Sequence, residues 1–117
     1  MARHEVLSRR ISKFVAERDW EQFHSPKNLS MALTVEAAEL LEHFQWLTQE
    51  ESCHLPAPKR EQVAEELADV FIYLVRLADR LEIDLYAAAE RKLAVNEANY
   101  PIDLAKGNAR KYTEFDR

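Results

Sequence analysis

The sequence predicts an all-α fold, a four-helix bundle formed by a single domain. Four stretches repeat apolar residues at helical spacing, and capping residues or prolines bound most of them. No stretch shows the apolar-polar alternation of a half-buried strand. The 117-residue chain contains one glycine, Gly107, and a chain of this length can bury about two thirds of its unfolded surface. We therefore expect one domain over residues 1–117, with residues 101–117 as its C-terminal tail.

The first two helices are predicted from an amphipathic pattern and a strong start signal. The first, near residues 5–19, has one apolar face and one basic, solvated face. A loop with two aromatic residues follows it. Ser25 is then the expected N-cap of the second helix and Pro26 its first residue. This second helix is expected to continue to Leu47.

A polar linker, residues 48–58, separates the second helix from the third. The adjacent Cys53 and His54 in this linker lack the ligand spacing of a metal site. The third helix is expected to begin near Pro58 and to end near Leu81.

The fourth helix is bounded by a polar cap and a proline. Asp84 is its expected N-cap, and the helix is expected from Leu85 to Ala98 before Pro101 stops it. Residues 102–117 carry Lys106, Arg110, Lys111 and Tyr112 around the lone glycine, and their simplest interpretation is a frayed terminus.

Two helical stretches each carry a pair of acids three residues apart, Glu36 with Glu39 and Glu66 with Asp69. Residues at i and i+3 lie one turn apart on one flank of a helix. If the apolar stripes beside these pairs pack antiparallel, the four carboxylates can converge. A like-charge pair at about 4 Å costs roughly 4 kcal/mol at an effective dielectric near 20, and a hard divalent cation such as Mg²⁺ or Mn²⁺ would remove that penalty. Ordinary solvated surface acids are the alternative.

Apolar residues on the second and third helices form the stripes expected to be buried. These residues are Leu29, Leu33, Ala37, Leu40, Phe44, Val63, Leu67, Phe71, Leu74, Ala78 and Leu81. Further apolar residues lie on other sides of the same two helices, namely Met31, Val35, Ala38, Ile72 and Leu77. Because one short chain cannot cover all of these sides, we expect the helices to pack in a homo-oligomer.

Composition and charge exclude several classes of protein. The net charge of −5 argues against a general nucleic-acid binder. The apolar runs are far shorter than a membrane span, and the first residues lack the apolar core of a signal peptide. The single cysteine, Cys53, cannot form an internal disulfide. These features favour a cytoplasmic protein without a membrane partner.

The acid pattern Glu36-x-x-Glu39 followed by Glu66-x-x-Asp69 resembles the signature of the MazG-like all-α nucleoside triphosphate pyrophosphohydrolases. Several other segments are similar to the dCTP pyrophosphatase branch of that family. They are 17–24 (ERDWEQFH), 26–29 (PKNL), 44–46 (FQW), 69–75 (DVFIYLV), Lys92-x-x-x-Asn96-x-x-x-Tyr100-Pro101 and 109–114 (ARKYTE). The resemblance covers nearly the whole chain.

The resemblance implies Mg²⁺-dependent hydrolysis of a nucleoside triphosphate, with Mn²⁺ as a possible substitute. Water attacks between the α- and β-phosphorus, which yields a monophosphate and pyrophosphate, and dCTP or a modified dCTP is the expected substrate in nucleotide-pool sanitising. By this resemblance Glu36, Glu39, Glu66 and Asp69 are the catalytic metal ligands. One acid of the first pair could also position or deprotonate the attacking water. The family further implies dimers that associate into tetramers, with the base pocket completed by a neighbouring subunit.

Eight residues are candidates for substrate binding: Trp20, His24, Asn28, Trp46, Tyr73, Lys92, Asn96 and Tyr100. The two tryptophans are candidates for base stacking, although a tryptophan is more often a core residue. Lys92 and Asn96, at i and i+4, could contact phosphate and sugar or form an exposed helical pair. The Tyr73 hydroxyl could contact substrate or backbone, and His24 could serve the pocket or cap a helix.

Two other classes of protein compete with the enzyme. A non-catalytic helical oligomerisation or interaction module would use the same amphipathic pattern but would not need acids beside the apolar stripes. A di-iron helical bundle would use inward carboxylates, but its Glu-x-x-His motif is absent after Glu36 and Glu66.

Overall fold

The computed structural model describes residues 2–116, and these residues form helices and no strand. The six α-helices are α1 Arg3–Glu17, α2 Pro26–Glu42, α3 Gln49–Ser52, α4 Ala57–Arg80, α5 Leu85–Asn99 and α6 Ile102–Ala105. Short 3-10 turns cover Glu21–Phe23 and Tyr112–Glu114. The predicted all-α fold is therefore confirmed.

The chain separates into two compact units, one ending at Ile83 and one beginning at Asp84. The first contains α1 to α4 and the second contains α5 and α6. The expectation of a single domain over residues 1–117 stays a prediction.

Helix α4 is the central element of the first unit, because both α1 and α2 pack against it. The buried apolar residues of this unit are Ile11 and Val15 on α1, Leu29 on α2, and Val63, Val75 and Ala78 on α4. Val75 is fully buried and forms a core cluster with Ile11 and Val15. This packing holds α2 and α4, the two helices with the acid pairs, side by side.

The end of α1 positions Trp20 through a Schellman motif. Asp19 adopts a left-handed conformation with φ of 53°, which aspartate tolerates better than most residues. The Trp20 backbone N–H donates to the Val15 carbonyl at 3.0 Å, and the Asp19 N–H donates to the Ala16 carbonyl at 3.1 Å. The Trp20 ring then packs edge-on against Phe14, with the ring centroids 5.6 Å apart. The tryptophan thus lies beside the last turn of α1.

The predicted start of α2 is confirmed, but its predicted end is wrong. Ser25 accepts a hydrogen bond from the Asn28 backbone N–H at 3.1 Å, and Pro26 is the first helical residue. The helix ends at Glu42, five residues before the expected Leu47. Turns follow it, and one of them is closed by the Leu47 N–H on the Phe44 carbonyl at 2.9 Å.

The predicted polar linker contains a short helix that the sequence interpretation missed. The Thr48 hydroxyl accepts from the Glu51 backbone N–H at 3.1 Å, and the Glu51 carboxylate accepts from the Thr48 N–H at 2.8 Å. This is a capping box, and its Thr-x-x-Glu signature is readable in the sequence.

The second unit contains the predicted fourth helix, which is α5. Part of the tail after this helix is packed. The Asp84 carboxylate accepts from the Ala87 N–H at 3.0 Å, so Asp84 is the N-cap of α5 as expected. Beyond α5, Tyr100 contacts Tyr112 and Phe115 edge-on, at centroid distances of 5.8 and 5.7 Å. Phe115 is buried. The interpretation of the tail as a frayed terminus is therefore wrong for Tyr112 and Phe115.

Several apolar residues of the predicted stripes are exposed. On α4, Leu67 and Phe71 are 51% and 42% exposed, and Leu81 just beyond the helix is 48% exposed. Their prediction as buried residues is wrong for the single chain, because α1 and α2 cover only part of the surface of α4. Met31 and Val35 on α2 are also more than half exposed. No helix in residues 2–116 is both long enough and apolar enough to cross a membrane.

Candidate active site

Three carboxylates from two helices converge where α2 and α4 pack together. Glu36 and Glu39 lie one turn apart on α2, and Glu66 lies on α4. One oxygen from each side chain lies within 4.8 Å of the other two. All three residues are half-buried. The packing of α2 on α4 therefore produces a compact acidic cluster, which we call the carboxylate cluster (Glu36, Glu39 and Glu66).

The carboxylate cluster contains buried oxygens that no described residue satisfies. The Oε2 atoms of Glu36 and Glu66 are both buried and have no hydrogen-bond partner in the part of the chain that the structure describes. A buried acceptor without a donor is unfavourable, and the cost is greater for a charged group. The cluster therefore needs either protons or a cation.

The pKa of Glu36 is raised from 4.5 to about 7. Burial of the carboxyl group is the largest cause, followed by Glu39, with which a protonated Glu36 can share a hydrogen bond and whose negative charge also raises the pKa. The charge of Asp69 and a hydrogen bond between the protonated Glu36 carboxyl and Glu66 add to the effect. Asp69 thus acts electrostatically on the cluster, although its side chain is exposed and is not among the three that converge.

The donor set fits a hard divalent cation. Carboxylate oxygens without thiolate or imidazole ligands suit Mg²⁺ or Mn²⁺ rather than Zn²⁺. A cation would also give the orphaned Oε2 atoms of Glu36 and Glu66 a partner. Glu65, beside Glu66 in the sequence, is an exposed surface charge and is not part of the cluster.

A cavity of about 320 Å³ lies in the same unit, beside α1 and α4. Three of the predicted substrate-binding residues, Trp20, His24 and Tyr73, line it. The remaining lining residues are Leu7, Arg10, Ile11, Phe14, Val15, Ile72 and Arg76. We call this space the Trp20 cavity. Its volume is at the lower end of the range for small-molecule sites, about 300–1,000 Å³.

Two arginines hold His24 at the wall of the Trp20 cavity. The Arg76 Nε donates to His24 Nδ1 at 3.3 Å, and the Arg80 Nε donates to the His24 carbonyl at 3.1 Å. Burial of the imidazole, followed by the positive charges of Arg76 and Arg80, lowers the pKa of His24. The imidazole is therefore held in its neutral form near pH 7.

The sequence interpretation missed Arg76, which is only 5% exposed. Its Nη2 atom is buried and lacks a hydrogen-bond partner among the described residues. Burial, followed by the charge of Arg80, lowers the pKa of this guanidinium, while Glu21 and Asp79 act in the opposite direction. The readable signal was one charged residue within an apolar run of α4, between Val75 and Leu77.

Comparison with known proteins gives this chain a family and several named relatives. The model of the MazG-like family matches residues 31–115, which include both acid pairs. The chain belongs to the MazG-like family. A relative of this MazG-like chain, dCTP pyrophosphatase 1 of Mus musculus, is 47% identical over 115 residues, which are 97% of this chain and 68% of the relative. The Homo sapiens protein of the same name is 49% identical over 117 residues, covering 95% of this chain and 66% of that protein.

A solved structure extends the likeness to three dimensions. A pyrophosphatase from Archaeoglobus fulgidus DSM 4304 has a TM-score of 0.82 and 39% sequence identity, covering 86% of this chain and 94% of its own. Against the curated mammalian relatives, this MazG-like chain spans about two thirds of their length.

Two predicted substrate residues of the first unit lie outside the Trp20 cavity. Asn28 is exposed, and its Nδ2 donates to the Phe23 carbonyl at 3.0 Å, so it closes the turn before α2. Trp46 is 86% exposed and lies beyond the end of α2. A tryptophan with both faces open to solvent could stack on a base, but the single chain does not bring it to the cavity wall.

The remaining candidates belong to the second unit of this MazG-like chain. Lys92 and Asn96 lie one turn apart on α5, with Lys92 exposed and Asn96 half-buried. Tyr100 is the C-cap of α5 and is held between two aromatic rings. The assignment of these three residues to phosphate, sugar and pocket stays a prediction.

Proposed function

We propose that this chain is a divalent-metal-dependent nucleoside triphosphate pyrophosphohydrolase that acts on dCTP or a modified dCTP. The products are the nucleoside monophosphate and pyrophosphate. The observation that carries the proposal is the carboxylate cluster with two buried, unpartnered oxygens on α2 and α4. The relatives named dCTP pyrophosphatase 1 support the reaction and the cytosine base.

The proposed metal ligands are Glu36, Glu39 and Glu66, with Asp69 at the edge of the cluster. The proposed ion is Mg²⁺, with Mn²⁺ as a substitute. When bound, such an ion screens the phosphate oxygens and lowers the pKa of water. The four acids would also keep the triphosphate away in the absence of the cation, because their charges repel it.

The protein's own contribution is to position water and substrate. Glu36 and Glu39 lie one turn apart, so both are candidates to orient the attacking water by accepting its hydrogen. Tyr73 is one turn after Asp69 on α4 and lines the Trp20 cavity. In this arrangement α4 connects the acidic edge to the cavity, with the triphosphate at the acids and the base against Trp20.

The assembly and the remaining contacts are part of the proposal. The exposed apolar residues Met31 and Val35 on α2 and Phe71 on α4 support a homodimer or a dimer of dimers. In such an assembly Trp46 would be covered by a neighbouring subunit. Lys92, Asn96 and Tyr100 are proposed as phosphate, sugar and pocket contacts.

The test is a panel of deoxynucleoside and ribonucleoside triphosphates with Mg²⁺, in which pyrophosphate and orthophosphate are measured separately. We expect pyrophosphate with little orthophosphate, and the highest kcat/KM for a cytosine deoxynucleotide. Orthophosphate as the main product, or equal turnover of all bases, would contradict the reaction or the base preference respectively. Absence of any turnover would favour a non-catalytic interaction module.

A further inference from the structure

We propose that Arg76 determines base specificity in the Trp20 cavity: it fixes His24 as a hydrogen-bond donor and offers its own Nη2 to an acceptor on the edge of a pyrimidine base. The inference rests on the proposed function and deepens it, because it names the residue that recognises the base and the hydrogen-bond acceptors that it recognises.

The first step concerns the proton on His24. A guanidinium nitrogen carries only hydrogens to donate, so the contact from Arg76 Nε to His24 Nδ1 makes Nδ1 the acceptor. The lowered pKa of His24 keeps the ring neutral. A neutral imidazole has one N–H, which must then be on Nε2. Arg76 is therefore a positioning residue for the His24 ring.

The second step concerns the guanidinium itself. Arg76 is 95% buried, since 5% of its surface is exposed, and it lines the Trp20 cavity. Its Nη2 finds no hydrogen-bond partner among residues 2–116. A buried donor on a charged group is unfavourable unless an acceptor is supplied. Because Arg76 lines the Trp20 cavity, a molecule bound there can supply that acceptor.

The third step identifies the ligand chemistry. Most of the cavity wall is aliphatic or aromatic, which suits the flat body of a base better than a triphosphate. Among the polar groups of the wall, Arg76 Nη2 and the Nε2–H of His24 are both donors. Cytosine has neighbouring acceptors at O2 and N3, whereas uracil and thymine carry a hydrogen on N3. The pair of donors that Arg76 and His24 form thus favours cytosine over uracil.

The experiment compares Arg76→Met with Arg80→Met as a matched control. Both changes remove one arginine near His24, but Arg80 donates to the His24 backbone carbonyl, whereas Arg76 donates to the ring. The measurement is the ratio of kcat/KM for dCTP to that for dUTP. We expect Arg76→Met to lower this ratio by about tenfold or more, mainly through KM for dCTP, and Arg80→Met to leave it within about twofold.

A second readout follows the His24 ring directly. In the unaltered protein, the ¹⁵N signals should show Nδ1 without a hydrogen and Nε2 with one. In Arg76→Met this tautomer should no longer be enforced, and the pKa of His24 should rise toward its ordinary value. In Arg80→Met the tautomer should stay. If Arg76 only supported the fold, the His24 tautomer would be the same in a folded Arg76→Met variant as in the unaltered protein.

The outcomes separate this proposal from the proposed function. An unchanged dCTP to dUTP ratio in folded Arg76→Met overturns the role of Arg76. If Arg76→Met does not fold, Arg76→Lys keeps the buried charge but lacks the planar fork, and retention of the ratio there also overturns it. A wild-type chain that releases no pyrophosphate from any nucleotide overturns the proposed function instead. Perturbation of the His24 signals by a non-hydrolysable dCTP analogue, absent in Arg76→Met, would still support Arg76.

Discussion

The Oε2 atoms of Glu36 on α2 and Glu66 on α4 are both buried without a hydrogen-bond partner among the described residues, although their side chains meet in one cluster. The end of α2, a turn, the short helix α3 and about the first third of α4 separate the two acids in the sequence. Folding brings them together, and neither buried oxygen then has a hydrogen-bond donor or a positive charge as partner among the described residues. A divalent cation is the simplest group that resolves this imbalance.

Metal affinity should depend on Glu66 and not on its neighbour Glu65. Glu66→Gln removes one charged ligand from the carboxylate cluster, whereas Glu65→Gln makes the same chemical change at an exposed position. We expect Mn²⁺ binding, measured by titration calorimetry, to weaken by about 100-fold or more in Glu66→Gln and to be unaffected in Glu65→Gln. Equal effects of the two changes would show that the cluster is not the site.

Stability without metal should fall as the pH rises, because of Glu36. Its pKa is about 7 in the folded protein and 4.5 as the ordinary value. Below the lower value Glu36 is protonated in both states and changes nothing. Between the two values the folded state holds the extra proton, so the free energy of unfolding decreases as the pH rises, and the full penalty applies above the higher value.

Glu36→Gln should remove this penalty. We expect the variant to have a higher Tm than the unaltered chain near about pH 8 in a chelator, and a similar Tm near about pH 4. Glu42→Gln, an exposed acid at the end of α2, is the control. A Glu36→Gln variant that is less stable than the unaltered chain at the higher pH would contradict the electrostatic account of the cluster.

If the base stacks on Trp20, removal of the indole ring should raise KM. Trp20 lines the cavity and is held by Phe14, so Trp20→Ala should weaken substrate binding by about 1–3 kcal/mol, while Trp20→Phe keeps a ring and should lose less. Steady-state kinetics with dCTP measure both. A Trp20→Ala enzyme with unchanged KM would place the base elsewhere.

A change at Trp46 tests whether a neighbouring subunit completes the base pocket, as proposed. It is almost fully exposed in the single chain, so Trp46→Ala should raise KM only if a neighbouring subunit completes the site. We expect a rise in KM in the oligomer. No change would leave Trp46 as a surface residue.

Charge on the exposed apolar face of α2 should disrupt the proposed homo-oligomer. Light scattering should give a multiple of the 13.7 kDa chain mass for the unaltered protein. Val35→Lys should reduce that mass, because Val35 is 55% exposed beside other apolar residues. Lys13→Glu, an exposed charge reversal on α1, should not. A stable, fully active monomer would refute the assembly.

Local signals in the sequence predicted most helix boundaries. Contacts between residues far apart in the sequence were not predicted. Ser25 and Asp84 were recognisable as caps because a cap depends on residues only a few positions away. The contact between Arg76 and His24 spans 52 positions, and no periodicity indicates which residue faces which across that distance. Leu67 and Phe71 have the spacing of a buried stripe, but burial requires a neighbouring element, and the described residues of the first unit supply none there.

The acid pairs were predictable for a different reason. Spacing at i and i+3 places two carboxylates on one flank whatever surrounds the helix, so the carboxylate cluster needed only the packing of α2 on α4. The raised pKa of Glu36 could not be predicted from the spacing, because it depends on the burial that packing creates.

Pyrophosphate release from dCTP with saturating Mg²⁺, in the unaltered chain, Glu39→Gln and Glu65→Gln, tests the central claim most directly. The account predicts dCMP and pyrophosphate in equal amounts from the unaltered chain and from Glu65→Gln, and a loss of about 100-fold or more in folded, helical Glu39→Gln. Substantial turnover by Glu39→Gln, or dCDP and orthophosphate as the products of the unaltered chain, would contradict it.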